Sequence, residues 1–344
     1  MNPAEVTQHS VTVGGHTSFY LASGPEDGPL VMLCHGWPES SLSWRHQLPL
    51  LGALGFRAVA PDLRGYGRSS APKNHEAYAL EHIVGDMLGL LGALGHQAAI
   101  WVGHDWGSGV VWSVASHHPE RVLGVASLNV PYFTVEHGLD NLIDLVDRDL
   151  YPEAEYPAGQ WEYMRYYEEH FDRATAVMDA DPYNMVKAVF RKGSADGEGK
   201  PSGTAMVRKQ GGWFGGADSA PNLPRDPAVV TEDDVFDYAA GLERTGFFGP
   251  NSWYMNHEAN LAYTESAVNN LVLDLPVLYL AGRYDYTCQS VTSELADPMR
   301  VHCPNLTEAI VDCGHWMAQE APREVNAHLT RWIAYQLPDC WPTA

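Results

Sequence analysis

The stretch Ala98-Ala99-Ile100-Trp101-Val102-Gly103-His104-Asp105-Trp106-Gly107-Ser108-Gly109 decides how this chain is read. An apolar run suited to a buried strand stops at Gly103, and a second apolar run, Val110 to Ala115, begins just after Gly109. That is strand, sharp turn and helix, with a glycine two residues before and two residues after Asp105. The pattern is that of a nucleophile elbow, G-x-S-x-G, with aspartate in the serine position. Glycine is needed because strand and helix cross closely and because the turn residue is thrust outward on a strained backbone. A negative side chain at the N-terminus of a helix is favoured by the helix dipole. Such a carboxylate can attack a saturated carbon and become an alkyl ester. The bland alternative is a tight strand–helix turn in which Asp105 only caps the helix. The rest of the chain decides between them.

The length of 344 residues suits one large core with an insertion, and a chain that is 45% hydrophobic with 11 Trp and 17 Tyr can bury it. Against 21 basic residues stand 43 acidic ones, a formal charge of −22. A surface of that sign repels phosphate backbones and anionic lipid, so neither nucleic acid nor membrane is expected as a partner. The five cysteines are scattered without zinc spacing, and Cys34, ending an apolar run, is expected to be a buried free thiol. No disulfide framework is implied, which suits a reducing compartment. The first ten residues show no basic-then-apolar leader, and no apolar run reaches 18 residues. The expectation is a soluble, cytoplasmic protein, monomer or homodimer.

Working outward, Val11–Val13 and Phe19–Leu21 flank Gly14-Gly15 and predict a β-hairpin. Leu30–Cys34 reads as a strand ending in His35-Gly36-Trp37-Pro38, Trp44–Leu54 as a helix, and Phe56–Ala60 as the next strand. Pro61 to Ser69 is rich in turn residues. Leu80, Ile83, Val84, Met87, Leu90, Leu91 and Leu94 repeat at helical spacing. The elbow follows, then Val122–Leu128 as another strand. Strands alternating with helices predict an α/β fold whose mostly parallel sheet is covered on both faces. From 135 to 260 the texture changes to acidic and aromatic helical segments with two Gly/Pro-rich stretches, 193–201 and 211–227. The strand rhythm returns at Leu275–Leu280 and Leu306–Val311. The expected organisation is a core of 1–134 and 261–344, carrying a helical lid of 135–260.

Each resumed strand runs into a functional side chain: the first into Gly282-Arg283-Tyr284-Asp285, the second into Asp312-Cys313-Gly314-His315-Trp316. Open α/β sheets hold their ligands at the carboxyl ends of the strands, so Asp105, Asp285 and His315 should converge there. Nucleophile, acid, histidine is the chain order of the α/β-hydrolase triad.

With these motifs the chain resembles a soluble epoxide hydrolase of the α/β-hydrolase fold, from about residue 10 to 335. The likeness is carried by His35-Gly36-Trp37-Pro38, Asp62-Leu63-Arg64-Gly65-Tyr66-Gly67, Gly103-His104-Asp105-Trp106-Gly107, Asn251-Ser252-Trp253-Tyr254 and Gly314-His315-Trp316. The first three are shared with haloalkane dehalogenases. The family implies two lid tyrosines that donate hydrogen bonds to the epoxide oxygen. Tyr254 matches the second, with Pro250 in the first turn of its helix. For the first, Tyr163, Tyr166 and Tyr167 share one helical face; the family pattern, a tyrosine four residues before another ring, assigns Tyr163.

The resemblance further implies Asp105 as nucleophile, His315 as general base oriented by Asp285, and Tyr254 as proton donor with Tyr163 as second donor. The oxyanion would be met by the backbone N–H groups of Trp37 and Trp106, with a cis bond before Pro38. His35 and His104 would support the loops. No metal or organic cofactor is implied, only a lipophilic epoxide and water. Trp213-Phe214, Phe247-Phe248 and Trp253 suggest the apolar walls. The alternatives are a haloalkane dehalogenase, which has no need of phenolic donors, and a non-catalytic hydrolase-fold receptor for a small lipophilic ligand. A carboxylesterase would require Ser or Cys at 105.

Overall fold

Five of the chain's apolar runs become strands because both faces of each are covered. The computed structural model, which describes residues 4–342, carries one eight-stranded sheet: β1 (Val6–Val13), β2 (His16–Ser23), β3 (Leu30–Cys34), β4 (Arg57–Pro61), β5 (Ala99–His104), β6 (Val122–Leu128), β7 (Val277–Gly282) and β8 (Leu306–Val311). Their spatial order is β1-β2-β4-β3-β5-β6-β7-β8. The β1–β2 and β2–β4 pairs are antiparallel and every other pair is parallel. Within β3, Leu30, Met32 and Cys34 pack into one core while Val31 and Leu33 pack into the other. Two-sided burial is why these strands read as unbroken apolar runs and not as alternations. The outer strands β1 and β8 alternate in exposure, as edge strands with one wet face do.

Most predicted elements recur with ends shifted by a residue or two. The hairpin turns at Gly14 and Gly15, both with positive φ. The segment predicted as one helix from Trp44 to Leu54 is instead a 3₁₀ turn, Ser41–Trp44, followed by the short α1, Leu48–Ala53. Pro49 is the cause: its ring would strike the carbonyl of residue 45 in a continuous helix, so it sits in the first turn of a new one. Likewise β7 begins after Pro276, whose carbonyl accepts the N–H of Val125.

On one face of the sheet lie α2 (Leu80–Ala93) and α3 (Trp106–His117). Six of the seven periodic positions predicted for α2 are buried; Leu94, the C-cap, is half-buried. Between β6 and β7 the chain makes no strand. It forms α4 (Gly138–Asp144), α5 (Glu162–Asp179), α6 (Pro182–Val189), α7 (Glu232–Thr245), α8 (Phe248–Ser252) and α9 (His257–Glu265). This is the inserted helical region of an α/β-hydrolase fold. After β7 come α10 (Asp297–His302), then α11 (Met317–Glu320) and α12 (Pro322–Gln336) beyond β8; α1 and α12 cover the other face. Among the described residues no helix is long and apolar enough to cross a membrane. All five cysteines are free, with Cys34 buried as predicted.

Where the insertion begins, Glu136 is buried and its Oε1 accepts the Phe133 N–H at 2.6 Å. From the returning α9, Thr264 Oγ1 donates to the Glu136 carbonyl at 2.7 Å. Burial pushes the Glu136 carboxyl up from 4.5 to about 7, against the pull of the Phe133 and Thr134 N–H groups. Between these values the folded chain keeps a proton that the unfolded chain has lost, so stability falls as pH rises. The loss is on the order of 3 kcal/mol and is essentially complete by about pH 8. Glu136→Gln should flatten this slope and melt later than wild type at pH 8. Urea unfolding at pH 5 and pH 8 measures it, and an unchanged slope would contradict the assignment.

Candidate active site

The sheet's order reverses between β3 and β5: the chain runs from β3 outward to β4, then crosses back to the other side of β3. Loops leaving such adjacent strands diverge and leave a crevice at their carboxyl ends. Here the loop after β3 supplies Trp37 and the turn after β5 supplies Asp105. Asp105 has φ 51 and ψ −125, the strained backbone expected at the tip of an elbow. The crossing of β5 and α3 is as close as the glycine pattern predicted. A Cβ on Gly103 would lie 2.4 Å from the Gly107 carbonyl oxygen, and one on Gly107 would lie 2.1 Å from that of Cys34.

The Asp105 carboxylate is held asymmetrically. Its Oδ1 accepts the Trp37 N–H at 2.7 Å, and the Trp37–Pro38 bond is cis. Its Oδ2 faces His315 Nε2 at 3.6 Å, a charge contact too long for a hydrogen bond. Trp106 opens α3, where an N–H has no carbonyl to meet within the helix. On the far side of the imidazole, His315 Nδ1 and Asp285 Oδ2 are 2.7 Å apart. Asp285 is buried, and its Oδ1 accepts the N–H groups of Thr287 and Cys288, each at 3.0 Å. Burial alone would raise the Asp285 carboxyl; the imidazole and these N–H groups outweigh it and hold it below its ordinary value. Burial alone would lower His315, yet the carboxylates of Asp285 and Asp105 hold it well above its ordinary value. The three residues predicted from separate strand ends are therefore brought together.

Asp105 and His315 open on a cavity of about 1030 Å³, whose walls include Trp37, Tyr163, Trp213 and Tyr254. The three tyrosines of α5, predicted on one face, divide. Tyr163 lines the cavity. Tyr166 turns away to donate to the Gly211 carbonyl at 2.9 Å, and the Tyr167 hydroxyl lies 3.9 Å from Met178 Sδ. Positions three and four residues on lie to either side of the first, so neighbours decide which ring faces the cavity. Tyr254 stands in a 3₁₀ turn, Trp253–Met255, directly after α8, and not within that helix, of which Pro250 is the third residue. Burial, with Asp105 nearby, raises both cavity phenols well above their ordinary value, so they stay protonated and able to donate.

Of the aromatic walls predicted, Trp213 and Phe214 line the cavity. Phe247, Phe248 and Trp253 do not; they wedge the insertion against the core, on Trp37, His75 and Tyr66 respectively. His35 is buried, with Nε2 accepting the Leu63 N–H at 2.9 Å and Nδ1 at 2.8 Å from the Gly36 carbonyl. Those partners leave it a neutral support. His104 bridges Glu39 Oε2 and the His315 carbonyl, each at 2.7 Å.

Two residues were missed by the sequence reading. Glu39 is buried and also accepts the Gly36 N–H at 2.7 Å and the Gln319 amide at 2.8 Å. Burial would raise its carboxyl, but His104 opposes that and holds it well below the usual range. Asn129, with φ 71, donates to the His315 carbonyl at 2.7 Å and accepts the Gly282 N–H at 2.8 Å. Each had a weak signal: a carboxylate right after Pro38, and a polar residue right after an apolar strand. Among the described residues, Asp285, Cys288 and His315 have donor atoms within 4.8 Å of one another. As metal ligands they fit poorly, because Asp285 is saturated by hydrogen bonds. Burial and the nearby carboxylates also keep the Cys288 thiol protonated.

The alpha/beta hydrolase fold family matches residues 29–322. Epoxide hydrolase A of Mycobacterium tuberculosis is 32% identical over 337 residues, covering 95% of this chain and 97% of that protein. Bifunctional epoxide hydrolase 2 of Sus scrofa is 34% identical over 307 residues, 89% of this chain. The chain spans about half the length of that and the other mammalian relatives it matches. The crystal structure of Epoxide Hydrolase A from Mycobacterium thermoresistibile superimposes with a TM-score of 0.78 at 31% identity, covering 96% of this chain and 99% of that one. Three side chains converging from separate strand ends, phenols on the wall of the same cavity and likenesses that span nearly all of this chain agree, and the chain belongs to the epoxide hydrolases of the alpha/beta hydrolase fold.

Proposed function

We propose that the protein converts a lipophilic epoxide to a vicinal diol through a covalent ester on Asp105. The observation that carries this reading is the pair of protonated phenols, Tyr163 and Tyr254, on the wall of the cavity that also holds the Asp105 carboxylate. With Oδ1 tied to the Trp37 N–H, Oδ2 is the free oxygen, and it attacks one ring carbon as the C–O bond breaks. The alkoxide forms against the two hydroxyls, and one of them protonates it. Ring strain supplies much of the drive.

Esterification removes the charge of Asp105, one of the two carboxylates that hold His315 up. The imidazole then holds its proton less tightly and gives it up to the phenolate left by ring opening; now neutral, it can take a proton from water, with Asp285 stabilising the cation that results. The hydroxide attacks the carbonyl carbon of the ester. Oδ1 carries the oxyanion, against the N–H groups of Trp37 and Trp106. Collapse breaks the bond from the Asp105 carboxyl carbon to Oδ2, the imidazolium protonates the departing oxygen, and the new Asp105 carboxyl returns a proton to His315, so the diol leaves with Oδ2 in it. The helices of 135–260 act as the lid that brings the phenols to this carboxylate.

The oxygen that enters the diol is therefore one that Asp105 already carried. With enzyme in excess over substrate in ¹⁸O-water, the first-turnover diol should be almost unlabelled and the Asp105 peptide heavier. Under multiple turnovers the label should reach the diol. A fully labelled first diol with an unlabelled peptide would mean direct attack by water, with Asp105 as general base. A panel of styrene oxide, 1,2-epoxyoctane and 9,10-epoxystearate, run beside chloro- and bromoalkanes, tests the reaction class itself.

A further inference from the structure

The insertion grips the histidine loop on both sides of His315. Ahead of it, the Gly193 backbone packs directly on Gly314: a Cβ on Gly193 would lie 2.4 Å from the Gly314 Cα, and one on Gly314 would lie 2.6 Å from the Gly193 Cα. Behind it, Trp316 Nε1 donates to the Val189 carbonyl at 3.0 Å, and the Phe190 ring stacks on Trp316 at 4.2 Å. One carboxylate fastens the forward contact. Glu320 Oε1 accepts the Gly314 N–H at 2.9 Å, and Glu320 Oε2 accepts the Gly193 N–H at 3.2 Å. Glu320 is itself tied to the loop, its own N–H donating to the Trp316 carbonyl at 2.8 Å. From the core side, Asn129 holds the carbonyls of Gly314 and His315, His104 holds that of His315, and Asp285 holds the imidazole, so the Gly314 N–H is left to Glu320.

We infer that Glu320 is a positioning residue for ester hydrolysis, joining Gly193 of the insertion to Gly314 and so holding the His315 imidazole against the Asp105 carboxyl. The inference rests on the role proposed above for His315. Glu320 does not line the cavity, so it acts only through the loop. A carboxylate is the side chain this junction requires, because two N–H donors converge on two acceptor oxygens. Glutamine keeps the volume but turns an NH₂ toward one of the two donors, so it can hold one segment and not both. The junction is specific in shape as well, since neither glycine has room for a methyl group.

The test separates the two chemical steps. Wild type, Glu320→Gln, Gly193→Ala and the double variant are mixed in excess with the fastest epoxide of the panel above. Quenched samples are then weighed for ester-bearing protein. Alkylation depends on Asp105 and the tyrosines and in Glu320→Gln, whose side chain lies outside the cavity, should stay within about threefold of wild type. Ester hydrolysis should slow by about 10- to 100-fold, the penalty of a displaced catalytic group, and ester-bearing protein should accumulate. Because both substitutions open one junction, the double variant should be no slower than the slower single one. Glu320 would be merely structural if both steps fell in the same proportion, as with a loss of folded protein. It would have no role if neither step moved in either single variant. Wild type that forms no ester with any panel member would instead overturn the covalent reading on which this inference stands.

Discussion

His315→Gln is expected to stop the enzyme after the first step, leaving protein heavier by the mass of one epoxide. In the proposed route the histidine has no part in ring opening, which needs only the free Asp105 Oδ2 and the phenols. It is indispensable afterwards, when a proton must leave water. Loss of a general base costs about 10²–10⁴-fold, and here it falls on a step that cannot be bypassed, so steady-state turnover should drop by at least that much. The expected signature is a burst of about one ester per active site. Asp105→Ala should gain no mass under the same conditions. If His315→Gln gains none with an epoxide that wild type consumes, then either the histidine is needed for alkylation or no ester forms.

Removing both lid hydroxyls should have the opposite signature: no burst at all. Each donor aimed at a developing oxyanion is worth about 10²–10³-fold in rate, so Tyr163→Phe with Tyr254→Phe should nearly abolish ring opening. Both rings are buried and packed edge-on at 5.6 Å, and the change removes only oxygens, so the fold should survive. The single variants rank the two donors. Tyr166→Phe is the control: its hydroxyl bonds the Gly211 carbonyl, so alkylation should be unaffected. Unchanged epoxide opening in the double variant, with release of halide from a bromoalkane, would move the protein to the dehalogenase reading.

How much of this was legible follows from how far apart the interacting residues lie in the chain. The elbow is local: two glycines, an aspartate and two apolar runs within the 18 residues from Ala98 to Ala115 dictate a strained strand–helix turn. The strands are nearly local, since burial on both faces leaves an unbroken apolar run wherever a parallel strand sits. Even the convergence of Asp105, Asp285 and His315 could be read, because in a parallel sheet every strand end lies on the same edge.

What the tertiary structure alone decided is the choice among neighbours and the polar lattice behind the site. Helical spacing left Tyr163, Tyr166 and Tyr167 together, and only the segment around Gly211, about forty-five residues on, took Tyr166 out of contention. Phe247, Phe248 and Trp253 looked like cavity walls, yet they face the core, because an aromatic side chain says that it will be buried but not against what. Glu39 meets His104 across 65 residues of chain, Asn129 meets His315 across 186, and Glu320 meets Gly193 across 127. A buried polar side chain in a sequence states only that it needs a partner. Apolar pattern repeats along the chain and can be counted, whereas a hydrogen bond is a single pairing whose other half is chosen when the chain folds.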